Sequence, residues 1–545
     1  MPQTPTGRAG NTGWIATVLA ALVIALVYFG LPNFRYLNDG LVAALRMRDA
    51  SPWFVHPNHP VHPLVPLIIY RALGGQASGL SELELLTMWS ILCGIIACVG
   101  LMTILRAGST ATAAIVLGLG LFAFSNGVWY FFVTANPSST ALTFQILALI
   151  PIAIAIRRRP DGPTVGDRVA IVLLTALAIL AGQINAMLLL PACYAVTSGD
   201  IPTREKSGRA VVLLVMVVIV TAAMFYLVGA LFAGVRTPSG FLDWQHSYVF
   251  ERRWWVHGLL DAIRRNWVGA VSVHVASAFD SGGLFGSWLD GFGTPARVAG
   301  LLIKLGQAIV LLFLIVETIR AVAAWAQHRP LIPIQIIGLL SAVPIILFSC
   351  FWTPDTIHYR ILYVPGYLLF LIPSVERHYR LEQFRFRRAW PVVLVLICLF
   401  STNLATRFVP ESNPEGNPYR YEMFRLRDSM NPGDIIIFSG SDEGRSRELY
   451  ARYFLDVDTM LVNDIIGRVR SDPDGLAATL RAHYESGGIL LVHEDALLSD
   501  EDVEIMNQLY GTDIRPGEFA DFMQTWTTLA SHFMIDQYYL FEPKE

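Results

Sequence analysis

Long apolar runs alternate with short polar stretches over the first three quarters of the chain. Runs such as Trp14 to Gly30, Val211 to Phe232 and Leu301 to Val316 approach the roughly 20 residues that a helix needs to cross a bilayer's hydrocarbon core. We predict about eleven spanning helices, at residues 14–30, 82–105, 111–131, 137–156, 169–181, 184–197, 210–232, 296–319, 331–350, 359–374 and 390–408. The sequence Gly182-Gln183-Ile184-Asn185 predicts a break between the fifth and the sixth, which are alternatively one kinked helix.

The pattern changes after Pro410, where a polar stretch rich in Pro and Asn begins. Strand-like runs follow at residues 434–438, 460–462, 488–492 and 538–541, with helical stretches at 446–454 and 475–484 between them. Strands that alternate with helices predict a small layered α/β domain. We therefore expect a multi-span α-helical membrane domain at residues 1–409 and a soluble α/β domain at residues 410–545.

Composition supports this division. Hydrophobic residues make up 54% of the chain and charged residues 15%, and the mean hydropathy is +0.49. Residues 411–545 hold 26 of the 43 acidic residues and 11 of the 40 basic ones, so an acidic domain follows a basic one. The arginines fall at helix ends rather than in one patch, which argues against a nucleic-acid partner. The cysteines all lie within apolar runs, so neither a disulfide framework nor a zinc site is indicated.

The positions of Lys and Arg in the short loops predict the orientation in the membrane. With a cytoplasmic N-terminus, the basic residues of the short loops fall on the inner side: Arg106, Arg157, Arg158, Arg159, Arg168, Arg204, Lys206, Arg209, Arg320, Arg329, Arg377, Arg380, Arg385, Arg387 and Arg388. Eleven spans then place the C-terminal domain on the outer, periplasmic or extracellular, side of a cell (inner) membrane. The long loops 31–81 and 233–295 are also outer loops.

Two segments of these outer loops are predicted to lie at the membrane surface. His62 to Gly75 is apolar but too short to span, which predicts an amphipathic helix in the interface. Residues 251–275 have the mixture of Trp and Arg that is typical of an interfacial segment.

Asp39 is the first candidate for chemistry. It lies just beyond the outer end of the first span, where an acidic residue is costly to desolvate and therefore serves function more often than packing. The structural alternative is that Asp39 caps a helix over residues 41–47. The two roles are compatible with each other.

Three histidines follow in the same outer loop. His56, His59 and His62 are three residues apart, and each precedes a proline. A residue before proline is pushed towards extended geometry, and polyproline II has three residues per turn, so the three rings are predicted to share one face. Such a face can brace the loop, contact an anionic substrate or hold a metal, although no matching carboxylate spacing accompanies it.

Further polar candidates lie at the outer ends of other spans. Asn136 lies in a polar segment before the fourth span, and Asp355, His358 and Arg360 lie before the tenth. Arg360 opens a span on the side where arginine is scarce, and its guanidinium suits a phosphate. The alternative is an interfacial arginine that extends its charge to the membrane surface.

This layout resembles the GT-C superfamily of membrane glycosyltransferases, which have many spans, a long first outer loop with an acidic residue, and usually a polyprenyl-phosphate-linked sugar donor. The resemblance rests on Asn38-Asp39-Gly40 with the His-Pro-rich segment and short apolar helix after it, on Trp352-x-Pro354 with Arg360, and on the Gly433-Asp434 strand of the trailing domain. Many members have a pair of acidic residues where this chain has one, with Asp49 as the candidate second. A divalent metal therefore stays an open alternative, and no other cofactor is indicated.

The resemblance implies an inverting glycosyl transfer in which Asp39 is the general base for an acceptor hydroxyl. His56, His59, His62 and Arg360 would neutralise the leaving lipid phosphate, with Asp355 and His358 beside them, and Asn136 would bind the sugar. The partners are then the bilayer, a polyprenyl-phosphate sugar, and a glycan, lipid or protein acceptor, which the C-terminal domain would bind or cover. The alternative is a non-enzymatic protein that translocates lipid or polysaccharide or acts as a scaffold. The scarcity of charges inside the spans and of internal repeats favours the enzyme.

Overall fold

The computed structural model describes residues 9–49, 56–75, 79–108, 110–158, 162–200, 202–246, 258–276, 294–327, 330–352, 356–383, 386–510, 513–532 and 537–543. The chain divides into two compact units. Met1–Asn33 with Ala50–Ser412 forms the first, here called the helical unit, and Phe34–Asp49 with Asn413–Glu545 forms the second, here called the α/β unit. The sequence boundary at residue 409 had assigned Phe34–Asp49 to the membrane domain, whereas this segment groups with the C-terminal residues.

Helices make up most of the first 412 residues. In chain order they are α1 (Ala9–Gly30), α2 (Asn38–Arg48), α3 (Val61–Ala72), α4 (Glu82–Ala107), α5 (Thr112–Ala123), α6 (Asn126–Phe132), α7 (Pro137–Arg157), α8 (Val165–Ala181), α9 (Leu189–Val196), α10 (Thr203–Phe232), α11 (Pro238–His246), α12 (Leu259–Ser272), α13 (Thr294–Ala326), α14 (Pro333–Ser349), α15 (Val364–Tyr379), α16 (Phe386–Asn403) and α17 (Val409–Glu411). Short polar motifs start several of them. Ser81 and Glu84 form a capping box at the start of α4, and Thr164 and Asp167 form another at the start of α8.

Among the described residues, five helices are long and apolar enough to cross a membrane: Glu82–Ala107, Pro137–Arg157, Thr203–Phe232, Val298–Ala326 and Arg387–Glu411. The bent pair α5 and α6 makes a sixth candidate. Each of the eleven predicted spans coincides, where it is described, with a helix or with two consecutive helical segments, which is the pattern of a multi-pass membrane protein. The total of eleven spans stays a prediction, because several of these helices are shorter than a bilayer crossing requires.

The bend between α5 and α6 is 70° and is held by a distant part of the chain. The backbone N–H groups of Asn126 and Gly127 donate to the carbonyl oxygens of His274 (3.1 Å) and Val273 (2.8 Å). Asn403 donates through its side-chain amide to the carbonyls of Phe124 (2.9 Å) and His274 (2.8 Å). The backbone groups that the bend frees are thus satisfied inside the protein, as irregular backbone at membrane depth requires.

The break predicted at residues 182–185 is confirmed. Helix α8 ends at Ala181, a 3₁₀ segment spans Gln183–Leu188, and α9 follows. Asn185 fixes the break by donating to the carbonyls of Ala141 (3.0 Å) and Ala178 (2.9 Å). A Cβ on Gly182 would lie 2.9 Å from the Cβ of Ala141, so only glycine permits this close approach.

The two segments predicted to lie at a membrane surface are helical where they are described. His62 to Gly75 corresponds largely to α3. Of the predicted segment 251–275, residues 251–257 lie outside the described part of the chain, and most of the remainder forms α12. Leu259, Leu260 and Trp267 are exposed on α12. An exposed apolar face beside arginines is typical of an interfacial helix, and the location of α12 in an interface stays a prediction.

The described residues of the α/β unit form a five-stranded sheet in the order β2-β1-β3-β5-β4. The strands are β1 (Ile435–Phe438), β2 (Asp458–Leu461), β3 (Leu490–His493), β4 (Thr527–His532) and β5 (Tyr538–Pro543). Its helices are α18 (Pro418–Leu426), α19 (Asp442–Phe454), α20 (Val462–Ser471), α21 (Pro473–Glu485), α22 (Asp500–Tyr510) and α23 (Glu518–Trp526). Strand β1 pairs in parallel with β2 and β3, and β5 pairs antiparallel with β3 and β4. Four of the strands overlap the strand-like runs of the sequence, and β4 was not predicted.

Candidate functional site

Asp39 lies in the first turn of α2 and is exposed. The helix begins at Asn38, and the N-cap position is held by Leu37, which offers no side-chain cap. The structural alternative of Asp39 as the cap is therefore wrong, because its carboxylate lies inside the helix. Burial lowers the pKa of Arg46, two turns further along α2, and the charge of Asp39 opposes that shift. The two side chains therefore interact electrostatically along α2.

The His-Pro segment forms a turn, and the predicted polyproline II conformation is wrong. The N–H of His59 donates to the carbonyl oxygen of His56 at 3.2 Å, which closes a four-residue turn with Pro57 at its second position. Polyproline II has no internal hydrogen bonds. The N–H of Asn58 also donates to Nδ1 of His56 (3.2 Å), and its side-chain amide lies 3.0 Å from Nε2 of His59. The prolines alone suggest an extended segment, but the hydrogen bonds of Asn58 stabilise a turn.

The turn brings histidines from two distant segments together. The rings of His56 and His59 stack with their centroids 6.4 Å apart, and the ring of His358 lies 6.2 Å from that of His59. Gln183, in the break after α8, donates to the carbonyl of Pro57 at 3.3 Å and so holds the turn against the interrupted helix. We call His56, His59, His62 and His358 the histidine cluster.

His62 forms the buried end of the cluster. It lies in the first turn of α3 and is 1% exposed. Its Nδ1 lies 3.0 Å from the hydroxyl of Thr140, which also accepts from the indole of Trp89 at 2.9 Å. Burial lowers the pKa of His62 to about 3, with a smaller contribution from His59. Among the described residues, Nε2 of His62 has no hydrogen-bond partner.

Asn136 lies one helical turn before Thr140 and is the N-cap of α7. Its Oδ1 accepts a hydrogen bond from the N–H of Ser138 at 2.9 Å. The side chain is fully buried, and its Nδ2 has no acceptor among the described residues. A buried polar atom without a partner costs about 1–3 kcal/mol. The N-terminal end of α7 therefore presents a buried amide donor that a ligand can use.

Arg360 is 2% exposed, which excludes the alternative of a side chain extended to the membrane surface. It begins a short 3₁₀ turn at Arg360–Tyr363, before α15. Its guanidinium donates to Oδ1 of Asn266 and to the carbonyl of Ser349, the latter at 3.3 Å. Asn266 is in turn held by its own bonds to the carbonyls of Ala262 (2.7 Å) and Cys350 (3.0 Å). Asp355, the remaining candidate before this span, lies outside the described residues.

The buried histidines and Arg360 differ in their charge at neutral pH. Burial lowers the pKa of His358 to about 4, so the rings of His358 and His62 are uncharged at neutral pH. They can donate or accept hydrogen bonds but do not supply the positive charge that the sequence hypothesis gave the histidines. Arg360, two residues after His358 in the chain, is a buried cation. In the described part of the chain, no three His, Cys, Asp or Glu side chains are grouped so that they could hold a metal ion.

Sequence reasoning missed several residues that hold the cluster. Trp89 and Thr140 lie inside apolar runs, where nothing distinguishes them from ordinary packing residues. Asn266 follows two arginines and was interpreted only as part of an interfacial segment. The sequence around Gln183 did signal a break, but it gave no sign that the side chain would reach Pro57.

Solved structures of low sequence identity match nearly the whole chain. The crystal structure of ArnT from Cupriavidus metallidurans in the apo state matches with a TM-score of 0.57 and 13% identity, over 98% of this chain and 98% of that one. The same protein bound to undecaprenyl phosphate matches with a TM-score of 0.52 and 12% identity, over 97% and 98%. The Archaeoglobus fulgidus oligosaccharyltransferase, in complex with Zn and sulfate, matches with a TM-score of 0.50 and 14% identity, over 91% of this chain and 70% of that one. No family model and no curated protein matches the sequence.

Proposed function

Because the chain has a GT-C-type fold, we propose that it is a membrane glycosyltransferase that moves a sugar from a polyprenyl-phosphate donor to an acceptor at the outer face of the membrane, with inversion at the anomeric carbon. One structure of similar fold, that of ArnT, was solved with undecaprenyl phosphate bound. The donor class, the stereochemistry and the side of the membrane are parts of this proposal.

The observation that carries the proposal is the combination of Arg360 with the histidine cluster in the helical unit. A lipid phosphate needs a cation and hydrogen-bond donors in surroundings that otherwise suit a hydrocarbon chain. Arg360 supplies a buried charge, and Nε2 of His62 and Nδ2 of Asn136 are buried polar atoms without partners among the described residues. Phosphate and sugar oxygens would satisfy these atoms and recover their desolvation cost.

Asp39 is assigned the general base on the resemblance and on its chemistry. In the proposed step, an acceptor hydroxyl gives its proton to the Asp39 carboxylate while its oxygen bonds to the anomeric carbon. The bond from that carbon to the phosphate oxygen breaks, and its electron pair leaves with the lipid phosphate. Arg360 stabilises the charge that develops on this phosphate, and the neutral His62 and His358 bind it through hydrogen bonds.

The first test is release of lipid phosphate by the purified full chain. We expect it to convert an undecaprenyl-phosphate-linked sugar to undecaprenyl phosphate when membrane-extract acceptors are added. Asp39→Asn should reduce the conversion to a small residual rate, because an amide cannot take the proton. The matched control is Asp474→Asn, since Asp474 is likewise an exposed acid in the first turn of a helix, α21.

Three results would change the assignment. An unchanged donor with the wild-type chain favours the translocating or scaffolding alternative. Full activity in Asp39→Asn removes Asp39 from the mechanism. Finally, cysteines at positions 39 and 356 should both react with a membrane-impermeant reagent in intact cells, and opposite sidedness of Asp39 and the exposed Thr356 overturns the outer-face site.

A further inference from the structure

Helix α2, which carries Asp39, packs against α19 of the α/β unit. The segment that leads into α2 is bound by the hydroxyl of Tyr450, a side chain on α19 that is fully buried. It accepts from the backbone N–H of Tyr36 at 2.8 Å and donates to the carbonyl of the same residue at 3.2 Å. The side-chain amide of Asn417 donates to this hydroxyl at 2.6 Å and to the carbonyl of Phe34 at 2.8 Å. One tyrosine hydroxyl thus fixes the backbone that leads into α2.

The helix is held at its first turn as well. Ser446, one turn before Tyr450 on α19, donates to Oδ1 of Asn38 at 2.9 Å. Asn38 is the first residue of α2 and the immediate neighbour of Asp39. Successive residues of an α-helix are about 100° apart around its axis. Anchoring Asn38 to α19 therefore leaves Asp39 on an adjacent, exposed face.

The last turn of α2 is anchored to the other end of α19. Arg48 donates to the carbonyl of Tyr453 at 2.9 Å, and its guanidinium lies over the ring of Tyr453, 4.3 Å from its centroid. Between the two anchors, Leu41 and Ala44 are fully buried. The rotation of α2 about its own axis is consequently fixed by buried side chains and by hydrogen bonds at both ends.

We propose that α19 is the positioning element for the Asp39 carboxylate, with Tyr450 as its principal positioning residue. The α/β unit then contributes to the reaction by holding the base in a defined direction, in addition to any contact with an acceptor. This inference rests on the proposed function, because it assumes that Asp39 takes the proton. Small displacements of a general base reduce the rate of proton transfer strongly, whereas donor binding through Arg360 and the histidine cluster does not depend on it.

The test is Tyr450→Phe in the full chain, which removes one oxygen and leaves the ring in place. We expect kcat for sugar transfer to fall roughly tenfold while KM for the undecaprenyl-phosphate sugar stays within about twofold. Hydrogen exchange of peptides covering residues 34–49 should become faster, because the N–H of Tyr36 loses its acceptor. The matched control is Tyr484→Phe on α21, a tyrosine that is 39% exposed, and it should change neither quantity.

A second variant guards against a general loss of folding. Ser446→Ala removes the bond to Asn38 together with the local bond that the same hydroxyl donates to the carbonyl of Asp442 within α19. It should lower kcat in the same direction without lowering the thermal midpoint of the protein. In an Asp39→Asn background, Tyr450→Phe should cause no further loss of the residual rate, since there is no base left to position. A purely structural role would reduce the rate equally in both backgrounds.

The outcomes separate the two proposals. Absence of any transfer by the wild-type chain overturns the proposed function and this inference with it. Transfer by the wild type together with an unchanged kcat in Tyr450→Phe and Ser446→Ala overturns the positioning role alone. A fall in kcat in both variants that disappears in the Asp39→Asn background supports it.

Discussion

Replacing Arg360 by Gln tests the most deeply buried charge of the proposed donor site. The substitution removes a guanidinium that is 2% exposed and donates to Asn266 and Ser349. A hydrogen bond from a charged donor contributes about 1.5–3 kcal/mol. The affinity for undecaprenyl phosphate should therefore fall roughly 10- to 150-fold, with a corresponding rise in KM for the donor.

The fold should survive this change, because Asn266 keeps its bonds to the carbonyls of Ala262 and Cys350. Arg360→Lys retains the charge but loses the planar fork, so it should recover only part of the affinity. Arg265→Gln is the matched control. Arg265 is the neighbour of Asn266 on α12, and its side chain is 36% exposed and 3.8 Å from the carboxylate of Asp261.

Binding can be measured by native mass spectrometry of the purified protein titrated with undecaprenyl phosphate, and turnover by the lipid-phosphate release assay. Affinity within twofold of the wild type in a folded Arg360→Gln protein would refute the reasoning. The phosphate would then be bound elsewhere, and the buried arginine would serve only to hold the chain between α12 and α14.

Two further changes test the surroundings of the cluster. Burial lowers the pKa of His62 from 6.5 to about 3, so between these pH values the unfolded chain binds more protons than the native one. The free energy of unfolding should therefore decrease by about 2 kcal/mol from this group as the pH falls from 7 to 5. Measured thermal midpoints should show a smaller acid loss in His62→Asn and the wild-type loss in His378→Asn, which replaces an exposed histidine. Gly182→Ala places a Cβ 2.9 Å from the Ala141 side chain, and it should lower the free energy of unfolding by about 1–3 kcal/mol and slow sugar transfer. The control is Gly208→Ala on α10, where a Cβ meets nothing within 4 Å, and it should be neutral or stabilising by up to about 1 kcal/mol. Equal thermal midpoints for the two alanine variants would contradict the close packing at the break.

The membrane-domain helices could be predicted from local sequence because each apolar run is much longer than the uncertainty of a few residues in where it begins and ends. The break at Gly182 could also be predicted locally, because glycine beside polar residues interrupts a helix whatever its tertiary contacts are. The His-Pro segment shows where local reasoning went wrong although the signal was present. His56-Pro57-Asn58-His59 has proline at the second and asparagine at the third position of a turn, and this pattern should have been weighed against the polyproline spacing.

Other features depend on contacts that no local pattern contains. The bend at Asn126 is stabilised by carbonyls of residues 273 and 274, and Tyr36 meets Tyr450 across 414 positions of sequence. Strand β4, Thr527-Thr528-Leu529-Ala530-Ser531-His532, has little apolar alternation and becomes a strand through pairing with β5. The neutral state of His62 likewise follows from burial that only the fold provides.

The division of the α/β unit into two separated pieces of chain has a consequence for biogenesis. During synthesis, Tyr36 leaves the ribosome 414 residues before Tyr450, which corresponds to about 20–80 s at ordinary elongation rates of roughly 5–20 residues per second. Throughout that interval the segment Phe34–Asp49 has none of its partners on α19. Its final conformation is therefore among the last to be acquired. A ribosome that stops between residues 413 and 441 releases a chain that contains the whole helical unit but none of the α19 side chains that hold α2.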